Sequence, residues 1–156
     1  MDLRERIAAA TKKAMKSRDA ARLSTLRLIG AGIKDREIAA RGEPGNEGAD
    51  GLREEDLVAL LSKMVKQRQE SARAFEEGGR IELAEREQAE ITVIQEFLPR
   101  QLDDAEVAAA VDRVIADLGA SSVRDMGRVM GELRARHAGQ MDFGAVGALV
   151  KSRLMG

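Results

Sequence analysis

Few side chains in this chain could do chemistry. His137 is its single histidine, and it has no cysteine. Disulfides, thiolate nucleophiles and cysteine zinc sites are therefore excluded, and a Ser-His-Asp triad or a two-histidine metal site is hard to build. Glu82, Arg86, Glu87 and Glu90 recur at helical spacing, and a carboxylate pair there could bind a metal or move a proton. Surface ion pairing, at a few tenths of a kcal/mol per pair, is the plainer reading. The sequence contains no GxxxxGK[ST] loop and no strand to precede one, so no phosphate cradle for a nucleotide is expected. No catalytic constellation, metal site or cofactor site is read.

Charge is the more informative signal. Residues 1–41 carry eleven Lys/Arg against five Asp/Glu, whereas residues 43–56 carry six acids and one Arg. Residues 124–153 carry six cations, Arg124, Arg128, Arg134, Arg136, Lys151 and Arg153, against three acids. Such regions can pair with phosphates, though solvated helix faces look the same in sequence. Tyr and Trp are absent, so a ligand nucleic acid would be folded and held by backbone and shape, without base stacking. His137 reads first as a polar residue near a helix C-terminus and second as an RNA contact. Gly127 and Gly131 form a GxxxG within a helix, where each glycine costs roughly 1 kcal/mol relative to alanine. Close approach of the following helix is the expected compensation, and approach of an RNA backbone the alternative.

The elements that position these residues are helical throughout. Leu3, Ile7, Ala10 and Ala14 share one face of a helix over 2–17. Asp19 can cap a helix over 20–41 with Leu23, Leu26, Ile29 or Gly30, and Ile33 inward. The turn-rich stretch 43–51 reads as a loop. A third helix over 53–77 buries Leu57, Leu60, Leu61, Met64, Ala72 and Phe75, with Glu54, Glu55 and Asp56 suited to its first-turn dipole. A fourth covers 80–97 and stops at Leu98-Pro99. Asp103 and Glu106 form a capping-box pattern opening a helix over 104–118, with Leu102 and Val107 as a staple. Ser122 can cap 123–137, and Asp142 can cap 143–154. The expected fold is all-α: a four-helix bundle in residues 1–99 and a three-helix bundle in 100–156.

Composition agrees with helices packed by aliphatic residues, since about a third of the chain is charged and aromatic residues make up 2%. The segment Met1-Asp2-Leu3-Arg4-Glu5 lacks a signal peptide's apolar core, and no apolar run is long enough for a membrane span. A cytoplasmic protein without a membrane partner is expected.

Five segments carry a family resemblance. They are Leu23-Ser24-Thr25-Leu26-Arg27-Leu28-Ile29 with Ile33-Lys34-Asp35-Arg36-Glu37-Ile38; Lys63-Met64-Val65-Lys66-Gln67-Arg68-Gln69-Glu70-Ser71; Gly79-Arg80 with Glu87 and Glu90; Glu96-Phe97-Leu98-Pro99-Arg100-Gln101-Leu102; and Gly119-Ala120-Ser121-Ser122 through Asp125-Met126-Gly127-Arg128-Val129-Met130-Gly131. In this order they resemble the stand-alone YqeY-like proteins. That family shares its fold with the C-terminal helical region of GatB, a subunit of the aspartyl/glutamyl-tRNA amidotransferase, whose tail contacts tRNA. The resemblance implies a non-catalytic, tRNA-associated accessory protein. Glutamine-dependent carbon–nitrogen ligase activity belongs to the relative, because its kinase-like cradle has no counterpart here. Two departures stand out: 43–51 is richer in Gly and acid than the pattern, and Arg53 stands where a Ser or Thr cap is usual.

The expected RNA contacts are thus Arg124, Arg128, Arg134, Arg136, Lys151 and Arg153, beside Gly127 and Gly131. A second reading is a protein-interaction module. Lys66, Arg68, Arg80, Glu87 and Glu90 would then form a face that docks on an amidotransferase or an aminoacyl-tRNA synthetase.

Overall fold

The computed structural model describes residues 1–42 and 52–155. The expected loop at 43–51 lies outside them. Seven α-helices and no strand occur among the described residues: α1 (Leu3–Ser17), α2 (Ala20–Arg41), α3 (Glu54–Glu77), α4 (Ile81–Gln95), α5 (Asp104–Leu118), α6 (Met126–Arg136) and α7 (Phe143–Met155). The chain divides into two compact units, Met1–Leu98 and Pro99–Gly156.

In the first unit α1 packs on α2 and α3, and α4 packs on α2 and α3. The core joins Leu3, Ile7 and Ala14 of α1, Leu26, Ile29 and Ile33 of α2, Leu57, Leu61, Met64 and Val65 of α3, and Ile91 and Ile94 of α4. Ile29, not Gly30, faces inward on α2, because only a side chain with apolar area gains by leaving water. Ala10, Leu23, Leu60 and Phe75 are half-buried.

The helix ends follow local chemistry. Asp2 and Asp19 accept the backbone N–H of Glu5 (2.8 Å) and Arg22 (3.2 Å), capping α1 and α2. Arg18 turns the chain between them in the left-handed region (φ 57°), where its N–H reaches Met15 O and that of Asp19 reaches Ala14 O. Arg53 cannot accept a hydrogen bond, so only half a capping box forms at α3: Asp56 Oδ2 accepts the Arg53 N–H at 3.1 Å. Glu54 Oε1 also accepts the Leu3 N–H (3.1 Å), tying the start of α3 to that of α1.

α4 ends two residues sooner than the sequence pattern suggests. Glu96, Phe97 and Leu98 close with i→i−3 bonds to Val93, Ile94 and Gln95, a tightened last turn ahead of Pro99. This turn buries Phe97 beneath Arg6, whose guanidinium lies 5.6 Å from the ring centroid and donates to Glu96 O. Arg22 of α2 pairs with the Glu96 carboxylate.

The second unit is built on α5–α7. Val111, Val114, Val129, Met130, Leu133, Val146, Val150 and Leu154 form its core, joined by Met141, which no helical period marked. The capping box of α5 is complete: Asp103 Oδ1 accepts the Glu106 N–H (2.8 Å) and Glu106 Oε1 accepts the Asp103 N–H (3.1 Å). Leu102 and Val107 both pack against the core. The sixth helix begins differently from the pattern. Residues Val123–Asp125 form a 3₁₀ turn and the α-helix starts at Met126. Asp125 is drawn back to accept the N–H groups of Ser121 (2.9 Å) and Ser122 (3.3 Å), which holds that turn tight. Asp142 Oδ1 accepts the Gly144 N–H (3.0 Å) at the start of α7.

Arg100 grips Glu106 through two bonds of 2.9 and 2.8 Å. With the Asp103 N–H, this holds the Glu106 carboxyl down from 4.5 to about 2. A carboxyl depressed by folding stabilises fully above its unfolded value and loses that contribution as pH falls toward the folded value. Denaturation followed at successive pH values is therefore expected to show the second unit weakening between about pH 4.5 and about pH 2. In Glu106→Gln that slope should flatten; an unchanged slope would refute the assignment.

Candidate nucleic-acid interface

The six expected phosphate contacts fall in the second unit, but they are not equivalent. Arg128 bonds Asp125 (3.0 Å). Arg136 is shared between Asp117 and Glu132, both at 2.8 Å, and these carboxylates raise its pKa. Arg153 bonds Asp112 at 2.9 Å. The Asp125 carboxyl lies below its usual range because the Ser121 N–H, and then Arg128, favour the anion. Arg134 lies 5.7 Å from the centroid of Phe143. Arg124 and Lys151 are exposed and have no ion pair among the described residues. Half of the set is thus already neutralised inside the unit. Residues 99–155 hold eight Lys/Arg and eight Asp/Glu, so the acids of α5 offset the cations of α6 and α7.

The expected role of Gly127 and Gly131 in helix packing is corrected. A Cβ on either would meet nothing within 4 Å, and both are exposed. α6 packs through Val129, Met130 and Leu133 instead. On α7, by contrast, a Cβ at Gly147 would lie 3.8 Å from Met126 Cε. His137 is the C-cap of α6, half-buried, with Nδ1 3.1 Å from Gln140 Oε1. Gln140 in turn donates to Arg100 O (3.2 Å), and its carbonyl accepts the Leu102 N–H (2.9 Å). The histidine thus belongs to the seam that closes the second unit.

Three of the five residues of the expected partner face, Arg68, Glu87 and Glu90, are half-buried, whereas Lys66 and Arg80 are exposed. Arg68 of α3 is 15% exposed and donates to Glu90 of α4 (2.9 Å) and to Met64 O (3.2 Å). Glu87, raised by burial and then by Glu90, is pulled down by Arg68. Arg68, Glu87 and Glu90 therefore form an electrostatic joint between α3 and α4. Lys66 is also engaged within the structure, and Arg80 is the exposed residue preceding α4. Among the described residues no group of three or more His, Asp or Glu could hold a metal ion. No helix among them is long and apolar enough to cross a membrane.

A concentration of exposed cations outside the six expected contacts lies on α1, within the basic stretch 1–41. Lys12, Lys13 and Lys16, with Ala9 and Ser17, line an open depression of ≈ 540 Å³. The excess charge of residues 1–41 was its signal in the sequence.

Comparison with known proteins adds a match over residues 4–154 to the family described as YqeY-like protein. The chain belongs to the YqeY-like family. It is 35% identical over 113 residues to altered inheritance of mitochondria protein 41, mitochondrial, of Lachancea thermotolerans, a span covering 71% of this chain and 57% of that one. The counterpart in Eremothecium gossypii is 34% identical, covering 69% of this chain and 56% of the relative. In Saccharomyces cerevisiae strain YJM789 the identity is 28%, with 78% and 65% covered. The chain thus spans somewhat more than half the length of these family members. Their names correct the expected cytoplasmic location: each is called mitochondrial.

Proposed function

We propose that the protein is a non-catalytic tRNA-binding accessory protein whose second unit holds the phosphate backbone through α6 and its surroundings. The observation that carries this reading is the open face of α6. Gly127 and Gly131 leave its backbone uncovered, with exposed Arg134 further along the helix and exposed Arg124 in the preceding turn, neither of them paired with a carboxylate among the described residues. A phosphate could approach the helix closely there and still meet guanidinium donors on each flank. The amidotransferase tail that the family resembles supports tRNA over other folded RNA. The names of the relatives support a mitochondrial rather than a cytoplasmic setting.

Filter binding of bulk tRNA tests the reading. The logarithm of affinity should fall linearly with the logarithm of salt concentration. Arg124→Glu with Arg134→Glu should weaken binding about tenfold or more at about 0.1 M salt. Arg136→Gln should weaken it little, since that side chain is already held by two carboxylates. Absence of salt-dependent affinity in the wild type would sink the proposal.

A further inference from the structure

The two hairpins of the first unit carry opposite charge. Residues 1–41, holding α1 and α2, have eleven Lys/Arg and five Asp/Glu, whereas residues 53–98, holding α3 and α4, have seven and eleven. The cations of α1 are crowded: from Arg6 to Arg18 there are five and not one carboxylate. Some basic residues of this hairpin are spoken for, since Arg4 pairs with Glu37 and Arg22 with Glu96. Lys12, Lys13, Lys16, Arg18, Arg27 and Lys34 are exposed and make no ion pair among the described residues. Lys12 and Lys16 stand one turn apart, so two like charges face each other across a helical turn without a carboxylate between them. Together with Lys13 they border the ≈ 540 Å³ depression over Ala9 and Ser17.

We infer that this lysine face of α1 is a second phosphate-binding site, for the backbone of a folded RNA. The inference rests on the reading that the protein grips tRNA, and extends it to a surface of the first unit. The chemistry favours RNA over a lipid surface. A helix that lies on a membrane needs a large apolar face to insert, and α1 has spent its own on the bundle core through Leu3, Ile7 and Ala14. Met15 is the one large apolar side chain exposed on α1 among the lysines. Duplex or folded RNA is favoured over single strands, because no Tyr or Trp is present to stack on bases. The lysine ammonium groups sit on long flexible stems and can follow successive phosphates without a fixed fork.

The test compares wild type, Lys12→Gln/Lys13→Gln/Lys16→Gln and Lys12→Arg/Lys13→Arg/Lys16→Arg. Each is titrated against bulk tRNA, a short RNA duplex of arbitrary sequence, and phosphatidylcholine vesicles containing about a third phosphatidylserine, a strongly anionic surface. Far-ultraviolet dichroism of each variant establishes that the helices persist. The glutamine variant is expected to lose about tenfold or more in RNA affinity at about 0.1 M salt, and its salt slope should shrink by about 2 to 3. The arginine variant should keep both. Glutamine-variant binding equal to wild type would overturn the lysine site and leave the tRNA reading standing. Wild type that binds the duplex as well as tRNA, with both lost in the glutamine variant, would keep the site and remove tRNA as its specific ligand. Binding of neither RNA would overturn both, and vesicle binding tighter than RNA binding would assign the face to a membrane instead.

Discussion

Leu133→Ala is expected to remove about 3 kcal/mol from the second unit, at least a third of its stability. Leu133 is wholly buried on α6, in one cluster with Val111 and Val114 of α5 and Val146 and Val150 of α7. Truncation removes the transfer free energy of the side chain and leaves a cavity that three short helices cannot fully close. Domains are stable by roughly 0.05–0.15 kcal/mol per residue, so a unit spanning Pro99–Gly156 holds only about 3–9 kcal/mol. Amide hydrogen exchange is the appropriate measurement. Protection should collapse in α5–α7 of the variant, because the core of α1–α4 is a separate cluster. Leu61→Ala, wholly buried in the other core, should produce the converse pattern. Loss of less than about 1 kcal/mol on Leu133→Ala would show that the cluster does not hold the unit together.

Arg68→Ala should destabilise the first unit by roughly 2 kcal/mol at neutral pH, less than the 3–5 typical of a fully buried pair because both partners keep some solvent contact. Arg68 is 15% exposed and Glu90 30%. Without the guanidinium, Glu90 loses its partner and Glu87 loses the charge that pulls it down against burial and Glu90. The Glu87 carboxyl, already above its usual range, should rise further. A carboxyl raised by folding takes up its proton earlier in the folded state, so stability recovers as pH falls through that value. Urea denaturation of Arg68→Ala should therefore show a larger deficit at pH 7 than at pH 4. Arg68→Met with Glu90→Leu should recover most of the loss, since apolar replacement of both partners removes the uncompensated charge. A deficit independent of pH would assign the effect to lost packing of the arginine stem instead.

The starts of α2, α5 and α7 were legible because they are set by residues next to them in sequence. Asp19, Asp103 and Asp142 each reach a backbone N–H two or three residues ahead, a distance that local geometry alone fixes; the cap of α1 at Asp2 went unread, because the periodic pattern took that residue into the helix. The buried stripes were legible for a similar reason: a helix repeats every 3.6 residues whatever it packs against. The family resemblance was legible as motifs in order, and it holds over residues 4–154.

What needed tertiary structure was everything that depends on a neighbour distant in sequence. Glycine spacing on α6 looked like a packing motif, yet packing requires a helix to arrive there, and α7 contacts other positions. Six cations read as free in the sequence, but Asp112 and Asp117 lie on α5, and folding carries them to Arg153 and Arg136. Arg68 and Glu90 looked like surface charge until α3 and α4 were laid side by side. Sequence alone set the helices, the caps at Asp19, Asp103 and Asp142, most of the inward faces and the absence of thiol chemistry. Which charges remain open to a partner was decided only by the fold, because Coulomb attraction depends on separation in space and sequence distance carries no information about it.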